Sequence, residues 1–129
     1  MGRGIAVEFR RRWPAMFMAY RSECRERRFR PGHVFVWNAG KLTIFNLATQ
    51  SRPGPNATLE YIEASLIHAV CIAEEREIPL IAMPRIGTGY GGLDWSAVHK
   101  QLAKIAARTS VVLAVYHLNR SPVNLREGS

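Results

Sequence analysis

Four glycines stand close together in the stretch Met83–Trp95, at positions 87, 89, 91 and 92. They follow an apolar run and precede a helical pattern that begins near Asp94. Glycine permits positive φ and removes the side chain that blocks close approach, so successive backbone N–H groups in such a loop can point at one phosphate. The spacing matches neither a P-loop nor a dinucleotide fingerprint. Two interpretations are therefore open, a phosphate-binding loop and a plain glycine-rich turn.

Metal and cysteine chemistry find little support in the residue pattern. The histidines, at positions 33, 68, 99 and 117, fall on different predicted elements without ligand spacing, so neither a metal site nor a cofactor is expected. Cys24 and Cys71 are too few and too far apart for a disulfide framework or a zinc site, which indicates a reducing cytoplasm. Cys71 lies among small apolar residues of a predicted helix and is expected to be buried.

Composition and charge narrow the classes of partner. The length of 129 residues is typical of one domain with a real core. No apolar run reaches the about 18 residues that span a bilayer, so no membrane partner is expected. The net charge is +8, and residues 1–30 hold nine arginines against three glutamates. This basic segment suits nucleic acid or another polyanion, and the alternative is an arginine-rich solvated surface.

The predicted helices and strands that position these residues alternate along the chain. A helical pattern runs from Gly4 to Arg12, after which Pro14 either interrupts the helix or starts a second one. The other predicted elements are a strand from His33 to Trp37, a turn at Asn38–Gly40, a strand from Lys41 to Ala48, a helix from Leu59 to Ala73 that Asn56 or Thr58 caps and Pro79 ends, a strand from Pro79 to Met83, a helix capped by Asp94, and a strand from Ser110 to Leu118.

The alternation of strands and helices predicts an α/β fold with parallel strand pairs and helices on the sheet faces. The strand ending at Met83 is apolar and bounded by prolines, so it is expected to be buried. Ligands in such folds bind beyond the carboxyl ends of strands. Three segments are expected to converge there: the one before Gly4, the Ala48–Asn56 loop and the Gly87–Gly92 loop.

Several segments together make the chain resemble the macrodomain family of ADP-ribose-binding α/β modules. The resemblance is greatest to the branch with terminal ADP-ribose protein glycohydrolase and the antitoxins that reverse DNA ADP-ribosylation. The segments that carry it are Met1–Phe9, Phe45–Gln50, Met83–Gly89 and Gly91–Trp95, in the family's order and at about its spacing. The resemblance implies a three-layer α/β/α domain with a mixed sheet over residues 1–118. From the residues alone, positions 119–129 are expected to form a frayed C-terminal tail.

The resemblance also implies how a ligand is held. The start of the first helix would face one side of the diphosphate, the glycine loop would close over the other side, and Tyr90 would lie near the distal ribose. The ligand-binding residues implied in this way are Gly2, Gly4, Ile5, Ile86, Gly87, Thr88, Gly89, Tyr90 and Gly91.

Two departures from the family pattern bear on the expected function. The family's opening strands precede the segment that begins here at Met1, so the domain is expected to be truncated at its N-terminus. The catalytic lysine of the closest enzymes is replaced by Gln50, and an aspartate of the human-type enzyme by Gly91. Gln50 has no basic lone pair for a covalent adduct. Gln50 and Thr49 are therefore expected to orient water and ribose, and Asp94 to cap a helix rather than act as a base.

The expected function is binding of ADP-ribose and hydrolysis of ADP-ribosyl groups from a protein or nucleic-acid acceptor by a water-activating, lysine-independent route. A non-catalytic reader of ADP-ribosylation is the first alternative, which the glutamine at position 50 favours. An inactive truncated domain is the second. The arginine-rich N-terminal segment is expected to add non-specific contact with nucleic acid.

Overall fold

The structure is a computed structural model and describes residues 5–26, 30–49, 58–88, 92–116 and 123–124. The helices are α1 (Ile5–Arg12), α2 (Pro14–Arg25), α3 (Leu59–Glu75) and α4 (Trp95–Ala106). The strands are β1 (Val34–Ala39), β2 (Leu42–Leu47), β3 (Leu80–Met83), β4 (Val112–Val115) and β5 (Val123–Asn124). Every element expected from the sequence is present, and β5 is an addition.

Pro14 starts a second helix and does not simply interrupt the first. It occupies the first turn of α2, where the missing N–H of proline has no intrahelical partner to lose. Trp13 joins the two helices: its N–H donates to the Phe9 carbonyl at 2.9 Å, and its carbonyl accepts from the Phe17 N–H at 3.1 Å. The two helices pack against each other.

The strands β1 and β2 form an antiparallel hairpin in which Ala39 lies opposite Leu42. Gly40 and Lys41 connect them, and Gly40 has a φ of 63°. A two-residue turn with positive φ matches the twist of the strands that it joins. The turn therefore lies later than expected, and Asn38 belongs to β1.

The hairpin separates two helices. On one face, the Asn46 side-chain amide donates to the Phe35 carbonyl at 3.1 Å and lies 3.6 Å from the Met16 sulfur of α2. Apolar residues of the other face pack against the core that contains α3, namely Val34, Phe45 and Leu47. Because successive strand residues point to opposite faces, α2 and α3 lie on opposite sides and make an α/β/α arrangement.

The second sheet is mixed. β3 and β4 are parallel, with α4 between them in sequence, and β5 joins β4 in antiparallel pairing. Ile81 and Met83 are buried, whereas Leu80 and Ala82 are exposed. The expectation of a fully buried β3 is therefore wrong for one face, because the core formed by the described residues packs on the side of Ile81 and Met83.

The apolar sides of α3 and α4 meet over this sheet. The buried residues at their interface with the sheet are Ile62, Leu66, Ala69, Val70, Ala73, Val98, Leu102, Ile105, Leu113 and Val115. Trp95 is partly buried against them. Cys71 is exposed, so the expectation of a buried cysteine is wrong. It lies outside the stripe of Ala69, Val70 and Ala73, since each helical residue turns by about 100°.

The helix α3 ends before Pro79 through its own C-terminal motif. The Ile78 N–H donates to the Ala73 carbonyl at 2.8 Å, and the Glu77 N–H donates to the Glu74 carbonyl at 3.2 Å. This pair of bonds is a Schellman motif, which places Glu77 in the left-handed region with a φ of 57°. The expectation that Pro79 ends the helix is thus corrected, because the motif has already satisfied the last carbonyls.

Two residues of the expected C-terminal tail belong to the sheet. Val123 lies opposite Val115, and Asn124 lies opposite Ala114. A frayed tail is therefore wrong at these two positions, and a domain boundary at residue 118 stays a prediction. Within the described ranges, no helix combines the length and apolar character needed to cross a membrane.

Candidate functional site

The loop between β3 and α4 is held by its own hydrogen bonds. The Ile86 N–H donates to the Pro84 carbonyl at 2.9 Å, and the Thr88 hydroxyl donates to the Arg85 carbonyl at 2.8 Å. The Leu93 N–H donates to the Gly87 carbonyl at 2.9 Å, which closes the loop at its far end. The first half of the loop is therefore ordered by local bonds that need no ligand.

Gly87 is required by packing as well as by backbone geometry. Its φ is 77°, a left-handed value that favours glycine. A side-chain carbon built at Gly87 would lie 2.6 Å from Cδ1 of Ile62 and 3.2 Å from Cδ1 of Leu93. The interpretation as a structural turn therefore holds for Gly87 itself, whatever the loop binds.

The loop after β2 is closed at its base. The Ala48 carbonyl accepts from the Gly32 N–H at 2.7 Å, which continues the hairpin beyond β2. The Thr49 carbonyl accepts from the Thr58 N–H at 3.1 Å, and so joins the two ends of the loop. Thr58 in turn caps α3, since its hydroxyl oxygen accepts from the Tyr61 N–H at 3.1 Å. The predicted cap at Thr58 is confirmed.

Both loops meet the first turns of α3. The Ile62 N–H donates to the Thr58 carbonyl at 3.1 Å, and the Ile62 side chain contacts Gly87. Thr49 and Gly87 are thus linked through two residues of one helix. The bases of these two loops therefore lie close together at α3. Convergence of the loops on one cleft stays a prediction, and the segment before Gly4 lies outside the described residues.

The predicted site residues divide into two groups. Thr49, Ile86, Gly87 and Thr88 are described, are partly buried, and lie in the two loops that α3 joins. Ile5 is the first residue of α1, and its backbone is described. The other predicted residues lie outside the part of the chain that the structure describes, namely Gly2, Gly4, Gln50, Gly89, Tyr90 and Gly91. Their placement stays a prediction.

Asp94 occupies the N-cap position of α4 but does not cap it with its side chain. Its φ and ψ are −75° and 128°, and its carboxylate makes no capping hydrogen bond. Only its carbonyl takes part, accepting from the Val98 N–H at 3.2 Å. The expectation of a side-chain cap is therefore wrong, because the exposed carboxylate does not turn back onto the first amides of the helix.

A cation beside the loop was missed by sequence reasoning. The Arg85 guanidinium carbon lies 4.9 Å from the centroid of the Trp95 ring, and the loop between these two residues brings them together. The Trp95 ring also lies against His99, with the ring centroids 5.7 Å apart. The sequence signal was an arginine just after a strand and an aromatic residue just after a helix cap. This contact fixes a positive charge next to a loop suited to phosphate.

Metal ligation has no support in the same region. Among the residues described, no group of three histidine, cysteine, aspartate or glutamate side chains is placed to hold a metal ion. The described residues of these loops offer backbone N–H groups, hydroxyl groups and the charge of Arg85.

Comparison with known families and proteins gives a consistent result. The Macro domain model matches residues 1–102. The DNA ADP-ribosyl glycohydrolase of Mycobacterium tuberculosis is 36% identical over 121 residues, which cover 91% of this chain and 34% of that protein. The DNA ADP-ribosyl glycohydrolase of Thermus aquaticus is 32% identical over 127 residues, which cover 95% of this chain and 35% of that protein. The chain thus spans about a third of the length of these curated relatives.

Solved structures agree with the sequence relatives. The macrodomain of Mycobacterium tuberculosis DarG has a TM-score of 0.81 and 35% identity to this chain, covering 90% of this chain and 80% of that one. The macrodomain of Thermus aquaticus DarG has a TM-score of 0.80 and 32% identity, covering 91% of this chain and 81% of that one. The expected macrodomain-like α/β fold is confirmed.

Proposed function

The chain belongs to the Macro domain family, and from this membership we propose that it binds ADP-ribose and hydrolyses ADP-ribosyl groups from an acceptor. The observation that carries the proposal is the junction of the two loops at α3, where Ile62 joins Thr58 to Gly87. It holds the bases of both loops at one place in a fold shared with the relatives described above.

The diphosphate is assigned to the glycine loop and the start of α1. Backbone N–H groups of the loop from Gly87 to Gly91 bind one side of it. The first amides of α1, with Gly2, Gly4 and Ile5, bind the other side, where the helix dipole favours negative charge. Arg85 adds a cation that the contact with Trp95 holds in place. Tyr90 packs on the distal ribose.

The reaction assigned to this site is hydrolysis without a covalent intermediate. The bond between C1″ of the distal ribose and the acceptor atom breaks, the oxygen of water bonds to C1″, and a proton from the water passes to the acceptor. Gln50 and Thr49 orient the water and the ribose, because neither side chain is a basic nucleophile. The positive charge that develops on the ribose is balanced by the adjacent diphosphate.

The acceptor assigned is a nucleic acid, with protein as the other class. Two relatives are named for action on ADP-ribosyl groups of DNA. The nine arginines of residues 1–30 agree with a polyanionic acceptor and with non-specific nucleic-acid contact. The cytoplasm is the assigned location, from the two unpaired cysteines.

A reader of ADP-ribosylation that does not catalyse hydrolysis is the second candidate function. Gln50 favours it, since the family's nucleophilic lysine is replaced.

An assay that follows release of ADP-ribose by chromatography, from modified single-stranded DNA and from modified protein, separates the two candidates. Hydrolysis of one substrate supports the proposal. Retention of both substrates, with ADP-ribose still bound, supports the reader. Gln50→Lys is expected to raise turnover where the lysine geometry of the family survives.

A further inference from the structure

A groove lies between α1 and α2, away from the loops described above. Its volume is about 350 Å³, and the residues that line it are Val7, Arg10, Arg11, Pro14, Phe17 and Met18. Three residues of each helix contribute, at spacings of three and four, which place them on one helical face. We refer to this cavity as the α1–α2 groove.

The lining of the groove is apolar but open to solvent. Val7 is 45% exposed and Met18 is 58% exposed, although both are large hydrophobic residues. Single exposed apolar side chains are ordinary, but several that line one concavity mark a binding surface. The groove therefore offers an apolar floor to a ligand of modest size.

Positive charge surrounds this apolar floor. The guanidinium carbons of Arg10 and Arg21 lie 4.4 Å and 5.9 Å from the centroid of the Phe17 ring. Neither arginine forms an ion pair with a carboxylate of the described residues, whereas Arg11 pairs with Glu8 at 2.7 Å. An exposed pair of that kind contributes little and is readily exchanged for another anion. The groove is thus complementary to a ligand that combines negative charge with a flat apolar group.

A single nucleic-acid strand has both of these properties. Its phosphates pair with arginine, and its unstacked bases pack on aromatic rings and on guanidinium planes. A duplex keeps its bases stacked inside and presents only phosphates to a groove of this size. An acidic peptide offers charge without a flat ring for Phe17 and Arg10.

The position of the groove agrees with such a strand. Arg10 is five residues along α1 from Ile5, which is about 7 Å at the rise of a helix. Arg10 and Phe17 are therefore within reach of a strand that extends from an ADP-ribosyl group held at the start of α1.

We propose that the α1–α2 groove binds the nucleotides that flank the modified nucleotide of a single-stranded nucleic acid, with one base packed on Phe17 and Arg10 and the phosphates of the strand paired with Arg10 and Arg21. This assignment of the substrate's flank rests on the proposed function, but the groove itself is tested with unmodified strands. Loss of strand binding in the groove need not affect the binding of free ADP-ribose.

The test is fluorescence anisotropy of a labelled, unmodified single strand of about 15 nucleotides, and of the same sequence as a duplex, over a range of salt concentrations. Arg10→Gln is expected to weaken single-strand binding several-fold and to lower the slope of log affinity against log salt by about 1. Phe17→Leu is expected to weaken it about tenfold with the slope unchanged, since it removes stacking and no charge. The matched control is Arg108→Gln, an exposed arginine beyond α4 with the same change of charge.

Three results overturn the proposal. The first is that Arg10→Gln binds the single strand as tightly as Arg108→Gln does. The others are that the wild-type chain binds the duplex as tightly as the single strand, or that it binds a poly-glutamate peptide more tightly than either. Thermal unfolding checks that each variant is folded. If Phe17→Leu does not fold, the affinity of Arg10→Gln, a change at an exposed residue, tests the proposal. Calorimetry with ADP-ribose separates the two proposals. A wild-type chain that binds the strand but not ADP-ribose contradicts the proposed function and leaves the groove supported.

Discussion

Gly87 and Ile62 are in contact across the junction of a loop and a helix, so closely that a side-chain carbon at Gly87 would lie 2.6 Å from Ile62 Cδ1. The glycine loop is thereby seated on the first turns of α3. Thr58 caps α3, and its N–H donates to the Thr49 carbonyl, so the same contact sets the spacing between the two loops of the candidate site. One glycine thus serves the packing of the fold and the position of the site.

Gly87→Ala is expected to lower the free energy of unfolding by about 2–4 kcal/mol, from the left-handed φ and the clash with Ile62. Urea denaturation measures it. Gly40→Ala is the control, since Gly40 has a φ of 63° with no atom within 4 Å of an added carbon. It is expected to cost only the backbone part, about 1–2 kcal/mol.

Ile62→Val removes the Cδ1 atom and makes a double-mutant cycle possible. Alone, Ile62→Val is expected to lower the free energy of unfolding by about 1 kcal/mol. In the Gly87→Ala background, the same change should lower it by less or should restore stability. Strictly additive effects, or equal losses for Gly87→Ala and Gly40→Ala, would contradict the packing role assigned to Gly87.

The two N-cap residues are expected to respond differently to alanine. Thr58→Ala should lower stability by about 1 kcal/mol, because it removes the bond from the Tyr61 N–H. Asp94→Ala should cost less than about 0.5 kcal/mol, because its carboxylate makes no such bond. Thermal unfolding of both variants measures these losses of stability. Equal losses would show that the Asp94 side chain caps α4 in solution.

Tyr20 is expected to titrate later than an ordinary tyrosine. Burial, together with the charge of the neighbouring Cys24 and a hydrogen bond with its side chain, raises the pKa of Tyr20 from 10.0 to about 12. Since the folded-state pKa is the higher one, the stability that this group contributes is complete below about pH 10 and is lost as the pH rises through about 12.

Ultraviolet absorbance during alkaline titration measures this shift. A late component is expected among the four tyrosines, and Tyr20→Phe should remove it. Tyr116→Phe, which removes an exposed tyrosine, should leave the late component in place. If Tyr20→Phe instead removes an ordinary component and leaves the late one in place, the Tyr20 side chain lies in solvent.

Arg85→Gln is expected to weaken ADP-ribose binding by about three- to tenfold, since it removes an exposed charge beside the glycine loop. Stability should fall by no more than about 1 kcal/mol, the value of an exposed contact between a cation and an aromatic ring. Calorimetry at two salt concentrations measures the affinity, and Arg108→Gln is the control. Equal affinities for the two variants would remove Arg85 from the site.

Much of the fold followed from periodicity. The stripe from Leu59 to Ala73 predicts α3, and Val98, Leu102 and Ile105 predict the inward face of α4, because burial of one helical face leaves its spacing in the sequence. The bases of the two loops could be placed as well, since strand ends are marked by changes from apolar to glycine-rich or polar residues.

Other features depend on tertiary contacts that local patterns do not record. The exposure of Leu80 and Ala82 follows from which face of β3 the core covers, and apolar composition alone does not tell one covered face from two. The left-handed Glu77 ends α3 although glycine is the usual residue there. The contact between Arg85 and Trp95 joins residues ten positions apart that belong to no common element.

The most direct test of the central claim is calorimetric titration of the 129-residue chain with ADP-ribose, using ADP and ribose 5-phosphate as controls. The account predicts binding in the micromolar range, about −8 kcal/mol, with much weaker binding of both controls. Gly89 replaced by a bulkier residue should abolish that binding. A flat trace from a folded sample, or equal affinity for ADP-ribose and ribose 5-phosphate, would contradict the claim that the joined loops form an ADP-ribose site.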